Sequence, residues 1–77
     1  MKKLYIRTQD REALVECNEI HYTKTKQSNH KAKFNLIANF NSVGEYASRE
    51  RCLEIIDEIE NRLAEDVDFV LYTMPEK

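Results

Sequence analysis

Apolar and polar positions alternate with a period of two through most of this chain and switch once to the spacing of a helix. Over residues 3–8, Leu4 and Ile6 alternate with Tyr5 and Arg7, predicting a strand, and Gln9-Asp10-Arg11 interrupts it as a hairpin turn without glycine. Ala13, Val15 and Cys17 share one parity, whereas Ile20 and Tyr22 share the other. Asn18-Glu19 is therefore expected to hold a bulge or bend. Residues 23–31 are polar and read as a loop, or as the tip of a long hairpin given their threonines. The clearest strand follows: Ala32, Phe34, Leu36, Ala38 and Phe40 alternate with Lys33, Asn35 and Asn39, and only Ile37 breaks the polar side. Asn41-Ser42, with Gly44 nearby, predicts a turn into a short strand over 43–47.

Ser48 can cap a helix by accepting from a free N–H of its first turn, and Glu50 suits the positive end of the dipole. Cys52, Ile55, Ile56, Ile59 and Leu63 recur at i, i+3 and i+4, with Leu53 widening the stripe; Glu54, Asp57, Glu58, Asn61 and Arg62 oppose them. After Ala64 the period returns to two. A last strand that ends before Pro75 is expected to turn Phe69 and Leu71 inward and Val70 and Tyr72 outward. One amphipathic helix needs a sheet to lie on. Residues 1–77 thus read as one small α+β domain: a mainly antiparallel, twisted sheet of four or five strands with the helix packed on one face. Leu4, Ile6, Val15, Cys17, Phe34, Leu36, Ala38, Phe40, Cys52, Ile55, Ile56, Ile59, Leu63, Phe69 and Leu71 form the expected core. Tyr5, Ile37, Val70 and Tyr72 are left to the other face, where Ile37, Val70 and Tyr72 are candidates for self-association as a dimer or larger oligomer.

At 77 residues the core is thin, so a partner copy is a natural supplement. Cys17 and Cys52 lie in apolar patterns without a second ligand at metal spacing and read as reduced core thiols. Met1-Lys2-Lys3-Leu4 lacks an apolar signal run and nothing is long enough to span a membrane, so a cytoplasmic protein without membrane contact is expected. The net charge of −2 is unevenly spread. Lys24, Lys26, Lys31 and Lys33 fall in a stretch without acids, whereas acids dominate residues 45–68.

Arg49 and Arg51 at the helix start are candidates to grip an anion, joined by Arg7 or Arg11, with Tyr5 or Tyr46 stacking a base. The plain alternative is surface pairing with Glu45, Glu50 or Glu54. Gly44 is the single glycine, so no glycine-rich phosphate loop exists. The lysine-rich segment with His21, Tyr22 and His30 has the residue types for nucleic-acid contact, but the acidic total and the lack of arginine there argue against it. The helix's acidic face is open to a phosphate-mimic reading; ordinary solubility and a Glu58–Arg62 pair explain it as well. His21 and His30 are not placed by the sequence beside Cys17, Ser28 or Ser42, and their spacing is not a metal signature even with Glu19. No catalytic or metal residue and no cofactor is assigned.

Three blocks carry a resemblance: Leu4-Tyr5-Ile6-Arg7-Thr8-Gln9-Asp10; then Gly44-Glu45-Tyr46-Ala47-Ser48-Arg49-Glu50-Arg51-Cys52-Leu53-Glu54-Ile55-Ile56-Asp57-Glu58-Ile59; then Leu71-Tyr72-Thr73-Met74-Pro75. In that order they resemble small proteins of phages and prophages of Gram-positive bacteria with the pattern "IRSQD", "GEY-S-EERALEVLDEI" and "Y-MPE". Arg49 stands where that pattern has an acid. Strand and helix pattern are also similar to phage sponges that sequester cyclic ADP-ribose signals of Thoeris defence. The resemblance implies a non-enzymatic accessory protein that neutralises a host component by binding a host protein. Its alternative is an oligomeric sponge for a small nucleotide signal, and a structural protein of the phage genome is a third.

Overall fold

Leu4, Ile6, Val70 and Tyr72 face the helix from one three-stranded sheet, and Leu36, Ala38 and Tyr46 from a second. The computed structural model describes residues 2–26 and 32–77. Among these, the chain runs β1 (Lys3–Arg7), β2 (Leu14–Glu16), β3 (Ile20–Lys26), β4 (Ala32–Ala38), β5 (Asn41–Tyr46), α1 (Arg49–Leu63) and β6 (Phe69–Thr73). The protein is α+β: six strands in two sheets, ordered β2-β1-β6 and β3-β4-β5, with the helix packed against strands of both.

The single expected sheet is thus two. Asn18-Glu19, expected as a bulge, is where the chain leaves the first sheet for the second, and Asn39 holds that crossing. Its Oδ1 accepts from the Asn18 and Glu19 N–H groups at 2.9 and 3.1 Å, and its Nδ2 donates to the Glu16 carbonyl at 2.7 Å. All pairings are antiparallel except β1 with β6, which run parallel with Leu4 opposite Val70 and Ile6 opposite Tyr72. β3 and β4 pair from Ile20–Ala38 out to Lys26–Ala32, so the polar segment continues as strand on both sides of residues 27–31. Ser28, His30 and Lys31 lie outside the described residues.

The helix forms as its sequence dictates. Ser48 is extended and its hydroxyl accepts from the Arg51 N–H at 3.1 Å; Cys52, Ile55 and Ile59 are buried. Each such aliphatic side chain contributes about 1.5–3 kcal/mol through burial. At the far end the Lys2 ammonium donates to the Leu63 and Glu65 carbonyls, satisfying helix-end acceptors.

Three expected core positions are corrected. Phe69 and Leu71 are 59 % and 45 % exposed, and Val70 and Tyr72 are buried in their place. Every residue from Phe69 to Tyr72 is apolar or aromatic, so alternation alone could not choose a face; pairing with β1 chooses it. Phe40 leaves the strand altogether. The chain turns at Asn39-Phe40, both at positive φ, two residues before the expected Asn41-Ser42. Val70 and Tyr72 are therefore unavailable for self-association, and Ile37 stands half-buried on the second sheet between His21 and Ser42. Tyr5, Ile37, Val70 and Tyr72 do not form one patch.

Candidate functional site

The outward side of the β2-β1-β6 sheet carries three of the five large hydrophobic residues that stand exposed among the described residues, Leu14, Phe69 and Leu71. Residues directly opposite one another in a sheet share a face, so the register puts Lys3, Tyr5 and Arg7 of β1 beside Phe69, Leu71 and Thr73 of β6, and beside Leu14 and Glu16 of β2. Tyr5 and Phe69 lie with ring centroids 5.3 Å apart at an angle of 45°. Leu14 is 54 % exposed at the other border. Arg7, Arg11, Leu14, Leu71 and Thr73 line a shallow cavity of about 280 Å³. The Arg7 Nε donates to the Arg11 main-chain carbonyl at 3.0 Å, which holds the Arg7 guanidinium against the turn beside this cavity.

Of the six residues expected at a ligand site, Tyr5, Arg7 and Arg11 meet here; the other three do not join them. Tyr46 is buried, and its hydroxyl donates to the Pro75 carbonyl at 2.7 Å. Burial pushes that hydroxyl up to about 12 from its ordinary 10.0, with Arg51 opposing the shift. Arg49 donates to the Tyr22 hydroxyl at 2.8 Å and sits 6.0 Å from that ring's centroid. Its guanidinium is pushed up from its ordinary value by that bond first. Arg51 donates to the Lys77 main-chain oxygen at 2.9 Å and pairs with Glu54 at 3.2 Å. The helix-start arginines are thus occupied by partners of this chain, and the pairing with Glu54 is the plain alternative the sequence offered.

The three sequence blocks have structural work of their own, and they meet in space. Gln9 donates its N–H to the Val43 carbonyl at 2.8 Å, and its amide oxygen accepts from the Glu45 N–H at 2.9 Å. Its amide nitrogen donates to the Glu45 and Glu76 carbonyls at 3.1 and 2.9 Å. One side chain thereby ties the end of β1, the edge of β5 and the segment after β6. In the preceding turn, the Thr8 hydroxyl donates to the Asp10 carboxylate at 2.6 Å and accepts from the Ala13 N–H at 3.1 Å. The Thr8 bond, then the Glu12 N–H, hold the Asp10 carboxyl below its ordinary range. Arg11 closes this turn at φ 69°. Sequence reading put Gln9 in a turn and Asn39 on the polar side of a strand but gave neither a tying role, since their partners lie 20 or more residues away.

Other candidates separate as follows. Lys33 pairs with Glu45 at 3.2 Å, leaving Lys24 exposed on β3. Glu58 accepts from the buried Tyr72 hydroxyl, and Arg62 pairs with Glu65 while donating to the Leu71 carbonyl at 3.2 Å. The acidic helix face is therefore partly committed to the fold, and Arg62 turns to Glu65 instead of Glu58. Cys17 and Cys52 are buried free thiols, each pushed up from its ordinary value chiefly by burial. Among the described residues no group of three or more His, Cys, Asp or Glu is arranged to hold a metal ion. No described helix is long and apolar enough to cross a membrane. No protein-family model, curated protein or solved structure matches the chain.

Proposed function

We propose that this protein is a non-enzymatic binder that engages another protein through the outward face of the β2-β1-β6 sheet. One observation carries the reading: half-buried Tyr5 adjoins exposed Phe69 and Leu71 across β1 and β6, and exposed Leu14 stands on the same face of β2, opposite Arg7. Scattered surface hydrophobics need no explanation, whereas a contiguous set rimmed by polar groups marks an interaction surface. Arg7 and Arg11 at its border fit a partner whose contact patch is apolar at the centre and acidic at one edge. The resemblance of the three sequence blocks supports an accessory role in phage or prophage biology. In that role the partner is a host protein, such as a defence component, met in the bacterial cytoplasm.

The arginine-lined cavity of about 280 Å³ favours a second reading, in which Arg7 and Arg11 take the phosphates of a small nucleotide signal. Contact with nucleic acid through the basic β3–β4 arm has less support, because Lys33 is already paired.

One experiment separates the readings. Tagged protein is incubated with lysate of a Gram-positive host at high salt, beside a folded Leu71→Asp variant. The protein-binding reading expects one host protein retained by the wild type and released by the variant, since apolar contacts survive salt that disrupts phosphate contacts. Retention unaffected by Leu71→Asp, or no retention at all, contradicts it. A thermal shift with a cyclic nucleotide, lost in Arg7→Ala, supports the second reading instead.

A further inference from the structure

Each of the two sheets ends in two outer strands, and an outer strand offers unpaired N–H and C=O groups to another chain. Three of these four edges are guarded. β2 is only three residues long, β3 carries the exposed Lys24, and Gln9 bonds to Val43 and Glu45 along β5. β6 is the exception. Phe69-Val70-Leu71-Tyr72-Thr73 holds no charge, proline or glycine, pairs with β1 without a bulge, and has no described strand on its other side.

The direction of its free groups follows from the pairing with β1. The Lys3 N–H donates to the Asp68 carbonyl at 2.9 Å and the Met74 N–H to the Arg7 carbonyl at 3.0 Å, so the even-numbered residues turn their main-chain groups to β1. Phe69, Leu71 and Thr73 turn theirs outward. The Leu71 carbonyl accepts from Arg62 at 3.2 Å and keeps a second lone pair; no described strand pairs with the others. These same three residues carry their side chains on the outward face, beside Lys3, Tyr5 and Arg7. Neither Lys3 nor Arg7 is in an ion pair within the described chain.

We infer that the partner enters this face as an extended segment that adds an antiparallel strand to β6, with apolar residues opposite Leu71 and Phe69 and a carboxylate at each end. The inference rests on the proposed function and names the form its partner takes. A row of alternating N–H and C=O groups is satisfied by another backbone, which makes the occupant an extended chain. Apolar side chains at its centre continue the row from Tyr5 through Leu71. Acids at its ends answer Arg7 and Lys3. A second copy of β6 has the backbone but presents Phe69, Leu71 and Thr73 on this face, with no acid for either charge. The charge pattern therefore favours a segment of another protein.

An end-blocked synthetic peptide, Glu-Thr-Val-Thr-Val-Thr-Glu, tests this in a titration of the isotope-labelled full chain to about 1 mM, followed by amide resonances. The N–H groups of Phe69, Leu71 and Thr73 are expected to shift saturably and to exchange with solvent at least about tenfold more slowly, while Val70 and Tyr72, already bonded to β1, change little. N-methylation of the first valine, whose N–H faces β6, should weaken binding about tenfold; N-methylation of the central threonine, whose N–H faces solvent, should change it less than about threefold. A peptide with lysine at both ends should bind more weakly at low salt, and Arg7→Glu should narrow that difference. Thr73→Pro removes an outward N–H without touching Tyr5, Phe69 or Leu71, and should weaken peptide binding in a chain that circular dichroism shows folded. A peptide that shifts none of the three amides overturns the inference. So does indifference to methylation of the first valine, or protection of the same amides on concentrating the chain alone, which makes a second copy the occupant. A host protein captured by Thr73→Pro as by the wild type, yet released by Leu71→Asp, leaves the proposed function standing and removes the strand addition alone.

Discussion

The ring of Tyr46 lies where a side chain on Gly44 would stand. A Cβ at Gly44 would meet the Tyr46 ring and hydroxyl at 2.7–2.8 Å, and that hydroxyl is bonded to Pro75. The Gly-Glu-Tyr run and the Met-Pro-Glu run are therefore one structural unit, completed by Gln9. Glycine is needed here for close approach, not for an unusual backbone angle.

Gly44→Ala should destabilise the fold by about 1–3 kcal/mol, the usual scale of overpacking, because the ring cannot yield without losing Pro75. Tyr46→Phe should cost about 0.5–1.5 kcal/mol for the lost hydrogen bond. Combined, they should cost less than the sum, since both act on one ring. Urea denaturation of the three variants reads this directly; strict additivity would argue that the ring is not pinned.

Alkali should unfold the protein through its two buried tyrosines. Tyr46 is pushed up to about 12 from 10.0, and Tyr72 is pushed up further by burial and by its bond to Glu58. A raised folded-state value means the folded state holds the proton more tightly. The stabilisation is then complete below about pH 10 and lost as pH rises through about 12. Absorbance at 295 nm should show phenolate appearing together with loss of circular dichroism. Tyr46→Phe and Tyr72→Phe should each remove part of that cooperative step.

Adjacent residues of β6 should respond in opposite ways. Val70→Asp buries an unpaired carboxylate and should abolish folding, whereas Leu71→Asp should leave stability within about 1 kcal/mol. Thermal melts of the two variants check the parity of the strand. Equal damage from both would place the sheet face in contact with something other than solvent.

The two thiols should stay silent until the fold opens. Burial shields Cys17 and Cys52 and pushes both away from the thiolate form. An aromatic disulfide reagent at pH 8 should label neither quickly in the native protein and both at once in denaturant. Rapid native labelling of one thiol would contradict its placement in the core.

How much of this was legible in the sequence depended on whether a pattern was forced. The helix was readable because cap, stripe and acidic first turn agree from Ser48 to Leu63, and Cys52, Ile55 and Ile59 are buried as spaced. The first strand was readable because Arg7 cannot easily face the core. The last strand was not, since Phe69, Val70, Leu71 and Tyr72 suit either face and a long-range parallel pairing decides between them. Phe40 misled because the strand's alternation runs one step into the turn that Asn39 begins. Of the expected ligand residues, Tyr5, Arg7 and Arg11 were gathered by the β1–β2 turn and the sheet register. Tyr46, Arg49 and Arg51 were claimed by Pro75, Tyr22 and Glu54, partners far away in sequence or chosen by side-chain geometry.

Hydrogen–deuterium exchange of the protein, alone and with any host protein that the tagged chain captures, tests the open sheet face most directly. Added protection is expected in residues 3–7, 14–16 and 69–73, with little change on the acidic side of the helix. Protection confined to the helix around Glu54 and Asp57, or to the β3–β4 arm, would contradict the account.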